Sequence, residues 1–366
     1  MKLRYKIASG ILALFFLLIA TLALVIGYTA DCPPAAEAAS GPTMKAVTYG
    51  CYGGPEVLAY VDVPMPVPKA DEVLVKVHAA GVNPLDWHFM RGSPFVMRLM
   101  TGIGAPSDAS MGRDFAGEVQ AVGEKVTRFK PGDRVFGGAN GAFAEYLVRR
   151  ETGSIALMPD NVSFEQAAAV PVAAITALQA LRDNGQLQAG QKVLINGSSG
   201  GVGTYAVQIA KSMGAEVHGV NSTRNVEMVL GLGADRVFDY KKENYTESDE
   251  RYDLILDMVG NHSLLDNSKV MKPTGRLVQV GGPSGDWVGP FRGMIEALLT
   301  APFMEQEVSS IMAQLNGDDL ANLASLMSAG KVTSQIDRRF SLAETAQAVA
   351  YSETGRARGK IIIGMD

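Results

Sequence analysis

The chain is short of the residues that build metal lobes and disulfide scaffolds. Only two cysteines, Cys32 and Cys51, occur in 366 residues, which excludes a disulfide framework and a four-thiolate zinc lobe. Histidine is scarce, with four residues, so His-rich metal sites are excluded. No Lys/Arg block occurs and the formal net charge is −5, so a basic nucleic-acid-binding face is not expected. Charged residues make up 19% and hydrophobic residues 47%, which excludes disorder as the dominant state. Glycine is abundant instead, at 40, which suits many tight turns and close backbone approaches.

One long uncharged run stands out. Ile7 to Ala30 carries no charge, and Lys2, Arg4 and Lys6 precede it. About 20 apolar residues in a helix span a bilayer. Residues 1–30 are therefore expected to form a single-pass membrane anchor, with a cleaved signal segment as the alternative. That alternative gives a secreted or periplasmic protein, with Ala36-Glu37-Ala38 as a cleavage site. The basic flank would stay in the cytoplasm. Residues 31–43, rich in Ala and Pro, read as a tether.

Beyond the tether the patterning changes twice. Lys45–Tyr49, Glu72–His78 and Gly117–Val122 read as short strands punctuated by Gly and Pro, so residues 44–165 are β-rich. Ser163 and Gln166 resemble a capping box opening a helical stretch. From there strands and helices alternate: Lys192–Asn196, Val202–Met213, Glu216–Asn221, Val226–Leu232, Arg236–Asp239, Leu254–Met258 and Arg276–Val280. Such alternation predicts a doubly wound parallel sheet over residues 166–312. Residues 313–366 are expected to return to the first domain.

The strand Lys192–Asn196 runs into Gly197-Ser198-Ser199-Gly200-Gly201-Val202-Gly203 and then a helix. Backbone N–H groups at such a helix start bind a pyrophosphate, and glycine permits its approach. A strict GxGxxG would need glycine where Ser198 stands, but the strand–turn–helix context is present. An acidic residue at the end of the next strand would select NAD. Asn221-Ser222-Thr223-Arg224 stands there instead, which favours NADPH. The alternative is a helix cap followed by a solvated arginine. Tyr240 either packs on the adenine side or is an ordinary edge tyrosine.

Several stretches together resemble the medium-chain dehydrogenase/reductase superfamily, in its zinc-independent quinone oxidoreductase-like branch. They are Gly53-Gly54-Pro55-Glu56-Val57-Leu58, Gly81-Val82-Asn83-Pro84-Leu85-Asp86, Gly112-Arg113-Asp114-Phe115-Ala116-Gly117-Glu118-Val119, Pro131-Gly132-Asp133-Arg134-Val135, Ala142-Phe143-Ala144-Glu145-Tyr146 and Arg358-Gly359-Lys360. The resemblance spans 44–366. It implies an α/β protein with a GroES-like β-rich catalytic domain, a Rossmann domain and a cleft between them. Zinc-dependent relatives have Cys where Asn83 stands and His-Glu where Arg113-Asp114 stands, so no metal is expected.

The implied activity is hydride transfer from NADPH to a quinone or an α,β-unsaturated carbonyl. The alternatives are alcohol dehydrogenation or aldehyde reduction, and a non-catalytic NADPH-binding sensor. Asn83 is expected in the cleft, against its use as an Asn-Pro turn residue. His88 is a candidate proton donor, against plain packing beside Trp87. Asp86 either works in the cleft or orients the loop and Arg113. The resemblance puts Thr176 against the nicotinamide, against a hydroxyl bonded within its own helix. Val280, Gly281 and Gly282 end a strand where ligands bind. Lys360 either reaches the phosphates or is solvated. Relatives suggest a homodimer through an edge strand near Gln306–Met312.

Overall fold

The computed structural model describes residues 2–33, 41–282, 285–287, 296, 299–300 and 304–365. Residues 34–40 of the expected tether, and with them Ala36-Glu37-Ala38, lie outside the described residues.

The β-rich part is built from β1 (Thr43–Tyr49), β2 (Leu58–Pro64), β3 (Glu72–Val82), β4 (Asp114–Val122), β5 (Arg134–Gly138), β6 (Tyr146–Arg150) and β7 (Ile155–Leu157). β1 and β2 form an antiparallel pair. The others join β14 (Ile336–Ser341) and β15 (Lys360–Gly364) in a seven-stranded sheet ordered β14-β15-β3-β4-β5-β7, with β6 on β3. Thus the last strand lies antiparallel beside β3, with Ile361 opposite Val82. Val73, Val75 and Val77 alternate inward on β3 and are buried with Phe115, Val119 and Phe143.

The second sheet holds β8 (Lys192–Asn196), β9 (Glu216–Asn221), β10 (Arg236–Asp239), β11 (Tyr252–Asp257), β12 (Met271–Gln279) and β13 (Glu307–Ser310), all parallel. Its order, β10-β9-β8-β11-β12-β13, is that of a dinucleotide-binding doubly wound sheet. β8 and β9 occupy the ranges read from the sequence. Their runs of buried Val, Leu and Ile follow from helices covering both faces. The order reverses between β8 and β11, the point where sheets of this kind place their ligand crevice, outside the strands' carboxyl ends.

The N-terminal expectation is corrected. The first helix runs Lys2–Gly27, but among the described residues no helix is long and apolar enough to cross a membrane. Its C-terminal end is not a free tether either: Ile26 is buried, and Cys32 is disulfide-bonded to Cys51.

Candidate active site

The site is built where β15 meets the phosphate turn. Gly200 bridges Gly359 in parallel fashion, which lays the Lys360 stem under the first turn of the Gly201–Ser212 helix. A Cβ on Gly201 would stand 3.4 Å from Lys360 Cδ. The Lys360 ammonium then crosses to the β-rich domain. It donates to Asn83 Oδ1 at 2.6 Å and to Asp114 Oδ2 at 3.1 Å. All three residues are buried. Burial pushes the Asp114 carboxyl up, while Lys360 and the Asn83 amide oppose that shift. The other Asp114 oxygen accepts from Val172 N–H at 3.0 Å, tying β4 to the Pro171–Gln179 helix.

This geometry corrects two expected roles. Lys360 is neither solvated nor on the phosphates, because its head is spent on Asn83 and Asp114. Asn83 is in the interior, but Nδ2 donates to Asp114 Oδ2 at 2.9 Å and Gly81 O at 3.3 Å. Both amide hydrogens are used, so Asn83 has none left for a substrate oxygen.

Asp86 is different. Oδ2 accepts from Asn83 N–H at 2.7 Å, capping the Pro84–Arg91 helix. Oδ1 is buried with no partner. Burial drives its pKa up to about 7, against the lowering effect of the Asn83 N–H; the Asp114 charge raises it further. His88 lies on the same helix. Its Nδ1 stands 2.7 Å from Ser93 O, and its ring stacks on Trp87 at 3.7 Å. A carbonyl only accepts, so Nδ1 carries the proton there. Burial holds the His88 pKa below its ordinary value. Arg113 packs over Phe89 and bonds Asn140, away from Asp86 hydrogen bonding.

The cofactor turn has the shape a pyrophosphate needs. Gly197 has φ +93°, and a Cβ on Gly203 would collide with the Gly197 carbonyl. The N-cap of the Gly201–Ser212 helix is Gly200, with no side-chain cap, so the backbone N–H groups of Gly201 and Val202 face outward. Ser198 is fully buried, and its Oγ donates to Val220 O at 3.2 Å, so this side chain builds the turn. Ser199 Oγ accepts from Asn225 Nδ2 at 2.9 Å. Asn221 Oδ1 and Asn225 Oδ1 are buried without partners beside this turn, as a ligand-binding edge would leave them.

Beyond β9, Ser222 caps a short turn, and Thr223 Oγ1 donates to Asp239 Oδ2 at 2.7 Å. Thr223 thus serves Asp239 rather than an incoming phosphate. Arg224 Nη2 donates to Arg356 O at 2.8 Å, and Arg358 Nη2 to Arg224 O at 3.4 Å. The sequence reading had missed Arg356 and Arg358 as neighbours of this edge; the Arg358-Gly359-Lys360 run was their signal. Tyr240 is exposed at the end of β10. Thr176 Oγ1 donates to Val172 O at 2.7 Å within its helix. Val280 N–H donates to Asp257 O, and Gly281 presses on Met258, where a side chain would not fit. These sit at the crevice end of the sheet.

Zinc does not fit this corner. Among the described residues no three His, Cys, Asp or Glu gather as a metal site. Moreover, an ammonium already lies between the oxygens of Asn83 and Asp114, and both cysteines are bonded to each other. A nicotinamide dinucleotide fits the other side: the uncapped helix start, the glycine cradle and the orphaned asparagine oxygens are its expected partners.

The alcohol dehydrogenase GroES-like domain family matches residues 69–160, and the zinc-binding dehydrogenase family matches residues 232–363. A chloroplast envelope quinone oxidoreductase homolog of Arabidopsis thaliana is 34% identical over 343 residues, covering 88% of this chain and 99% of that protein. The quinone oxidoreductase of Coxiella burnetii superposes with TM-score 0.78 at 32% identity, over 89% of this chain and all of that one. The Escherichia coli quinone oxidoreductase complexed with NADPH gives TM-score 0.76 at 25% identity, over 87% and 99%. With this fold, this crevice and these relatives, the chain belongs to the medium-chain dehydrogenase/reductase superfamily, in its quinone oxidoreductase-like branch, and is an oxidoreductase.

Proposed function

We propose that the protein is an NADPH-dependent reductase that delivers hydride to a quinone or an α,β-unsaturated carbonyl. The observation that carries the cofactor choice is the cluster of Arg224, Arg356 and Arg358. Arg224 and Arg358 donate here to backbone carbonyls, so the guanidinium charges remain available to a 2′-phosphate. No carboxylate stands in the Asn221–Arg224 segment to repel it.

When bound, the cofactor supplies the hydride. The protein's own part is binding, orientation and a proton. The backbone N–H groups of Ser199, Gly201 and Val202 would hold the pyrophosphate, since those of Gly197, Ser198 and Gly200 donate to carbonyls within the turn and β9. Val280, Gly281, Gly282 and Thr176 would border the nicotinamide end. Hydride addition to an enone or quinone carbon places negative charge on the carbonyl oxygen, which must gain a proton. Asp86 is the candidate donor: its protonated form survives to about pH 7, and Oδ1 is uncommitted. His88 is the weaker candidate, since its neutral form presents a lone pair and not a proton at Nε2. Lys360 neutralises Asp114 and thereby keeps that neighbouring charge from raising Asp86 further.

The test is steady-state oxidation of NADPH and NADH with a simple quinone and a simple enone, each with and without a chelator. The expected result is chelator-insensitive turnover preferring NADPH. Binding of NADPH without turnover on either acceptor overturns the proposal.

A further inference from the structure

The segment after the N-terminal helix is fastened to the loop at residues 92–104. Cys32 is bonded to Cys51 with Cα atoms 4.8 Å apart. Thr29 bridges Gly104, and Ala30 N–H donates to Gly104 O at 2.9 Å. Arg98, 3% exposed, reaches up into the end of that helix. Its Nη1 donates to Ile26 O at 3.2 Å, Gly27 O at 3.3 Å, Tyr28 O at 2.9 Å and Thr29 Oγ1 at 3.1 Å. Tyr52, next to Cys51, and Phe95 sandwich the guanidinium at 4.6 and 4.3 Å. The acceptors around this buried cation are carbonyls and one hydroxyl. The partial negative charge at the helix C-terminus and the nearby Asp286 carboxylate both favour the cation.

The same loop also meets the segment that follows β12. Arg98 Nε donates to Gly92 O at 2.9 Å, and Nη2 to Arg91 O at 3.3 Å. The next residue, Ser93, meets His88 Nδ1 through its carbonyl and donates Oγ–H to Asp286 Oδ1 at 2.6 Å. Phe95 N–H donates to Asp286 O at 2.8 Å, and its ring meets Trp287 edge-on at 4.8 Å. Asp286 and Trp287 follow Val280, Gly281 and Gly282 at the nicotinamide end. Residues 92–95 therefore join both domains, and Arg98 holds them from behind.

We propose that Arg98 is a positioning residue for acceptor binding, and that the Cys32–Cys51 disulfide is a dithiol-sensitive clasp that keeps Arg98 in place. The inference rests on the reductase reading of the crevice. The disulfide holds residues 26–32 against the loop, and their carbonyls hold Arg98. Arg98 in turn fixes the 92–95 turn between His88 and Asp286. A dithiol reductant opens the clasp by thiol–disulfide exchange. The Sγ–Sγ bond breaks, each sulfur gains one electron and one proton, and the dithiol is oxidised to its own disulfide. The carbonyl cage then loses its covalent fastening, and the turn widens its range of positions.

The experiment uses the full chain, as isolated and after dithiothreitol, with thiols alkylated and counted. Reduction is expected to raise the acceptor KM about three- to tenfold, with kcat and the NADPH KM within about twofold. Arg98→Met is expected to exceed that effect and Arg98→Lys to recover part of it. Amide hydrogen exchange should quicken at residues 92–104 and stay constant at β9. An unchanged acceptor KM with both thiols titrated overturns the proposal, and so does unchanged exchange at 92–104. If Arg98→Met does not fold, the reduction arm decides alone. Faster exchange at 92–104 with no turnover in any form removes the reductase reading and leaves the clasp standing.

Discussion

Two basic clusters face the crevice from opposite conditions. At Lys360 the cation is 3% exposed and is spent on Asn83 and Asp114, whose own polar atoms are nearly all used. At Arg224 the cation is exposed, and among the described residues its side chain hydrogen-bonds to the carbonyl of Arg356. A buried ion pair must be closed within the protein, because water cannot solvate what is left over. An exposed arginine has no such obligation and keeps donors for a ligand. The first cluster is therefore architecture and the second is proposed as recognition, although Lys360 of the one and Arg356 and Arg358 of the other share one short C-terminal run.

The sharpest way to break that contrast is to remove one cation from each. Lys360→Met leaves Asp114 buried and unpaired, so unfolding free energy should fall by about 3–5 kcal/mol. Chemical denaturation checks this, and a loss under about 1 kcal/mol would reduce the pair to decoration. Arg224→Ala should leave stability within about 0.5 kcal/mol. It should raise the NADPH KM about ten- to a hundredfold while leaving NADH unaffected. Equal loss for both cofactors would move Arg224 to the architectural side.

Asp86 tests the border between the two conditions. Its folded pKa, about 7, lies above the unfolded value near 4. Between those values the unfolded chain has already lost the proton that the folded chain keeps. Stability from this group is thus fully present below about pH 4, declines as pH rises toward 7, and is flat beyond. Asp86→Asn keeps an acceptor for Asn83 N–H and removes the titration. The change in stability between pH 5 and pH 8 should differ between parent and variant by about 2 kcal/mol, after allowance for coupling to Asp114, with the contributions of His88 and His218 common to both. The smallest effect is expected at Thr176. Thr176→Val removes a bond to the helix's own Val172 carbonyl and should cost less than about 1 kcal/mol. A cofactor KM rising more than a few-fold would place this hydroxyl on the nicotinamide instead.

Local features were the ones legible in the sequence. Strand β8, the Gly197 turn and the helix after it lie within about 20 consecutive residues and are set by patterning and glycine geometry. The absence of an acid after β9 is likewise a local fact. What stayed hidden depends on distant pairings. Nothing near Lys360 announces that its head will meet Asp114, which is 246 residues away. Asn83 is expected from the sequence in the cleft, yet it is buried and its amide is consumed by Gly81 and Asp114, which no spacing reveals. Ser198 is legible as a residue of the turn, but that its side chain faces inward to Val220 is not. The apolar N-terminal run read as an anchor, and no described helix meets that requirement. The Cys32–Cys51 bond had no signal beyond the count of two.

The Asp114–Lys360 pairing also sets a schedule for synthesis. Strand β15 enters the seven-stranded sheet between β14 and β3 and carries the only cation that meets the Asp114 side chain among the described residues. On a ribosome moving at ~5–20 residues per second, the carboxylate emerges roughly 12–50 s before its partner. During that interval β3 offers an open edge, and Asp114 has every reason to remain hydrated. The Rossmann-type sheet, contained between those two moments, is complete in sequence before the β-rich domain is. The outer domain therefore begins first and closes last, after the strands of the inner domain have all been made.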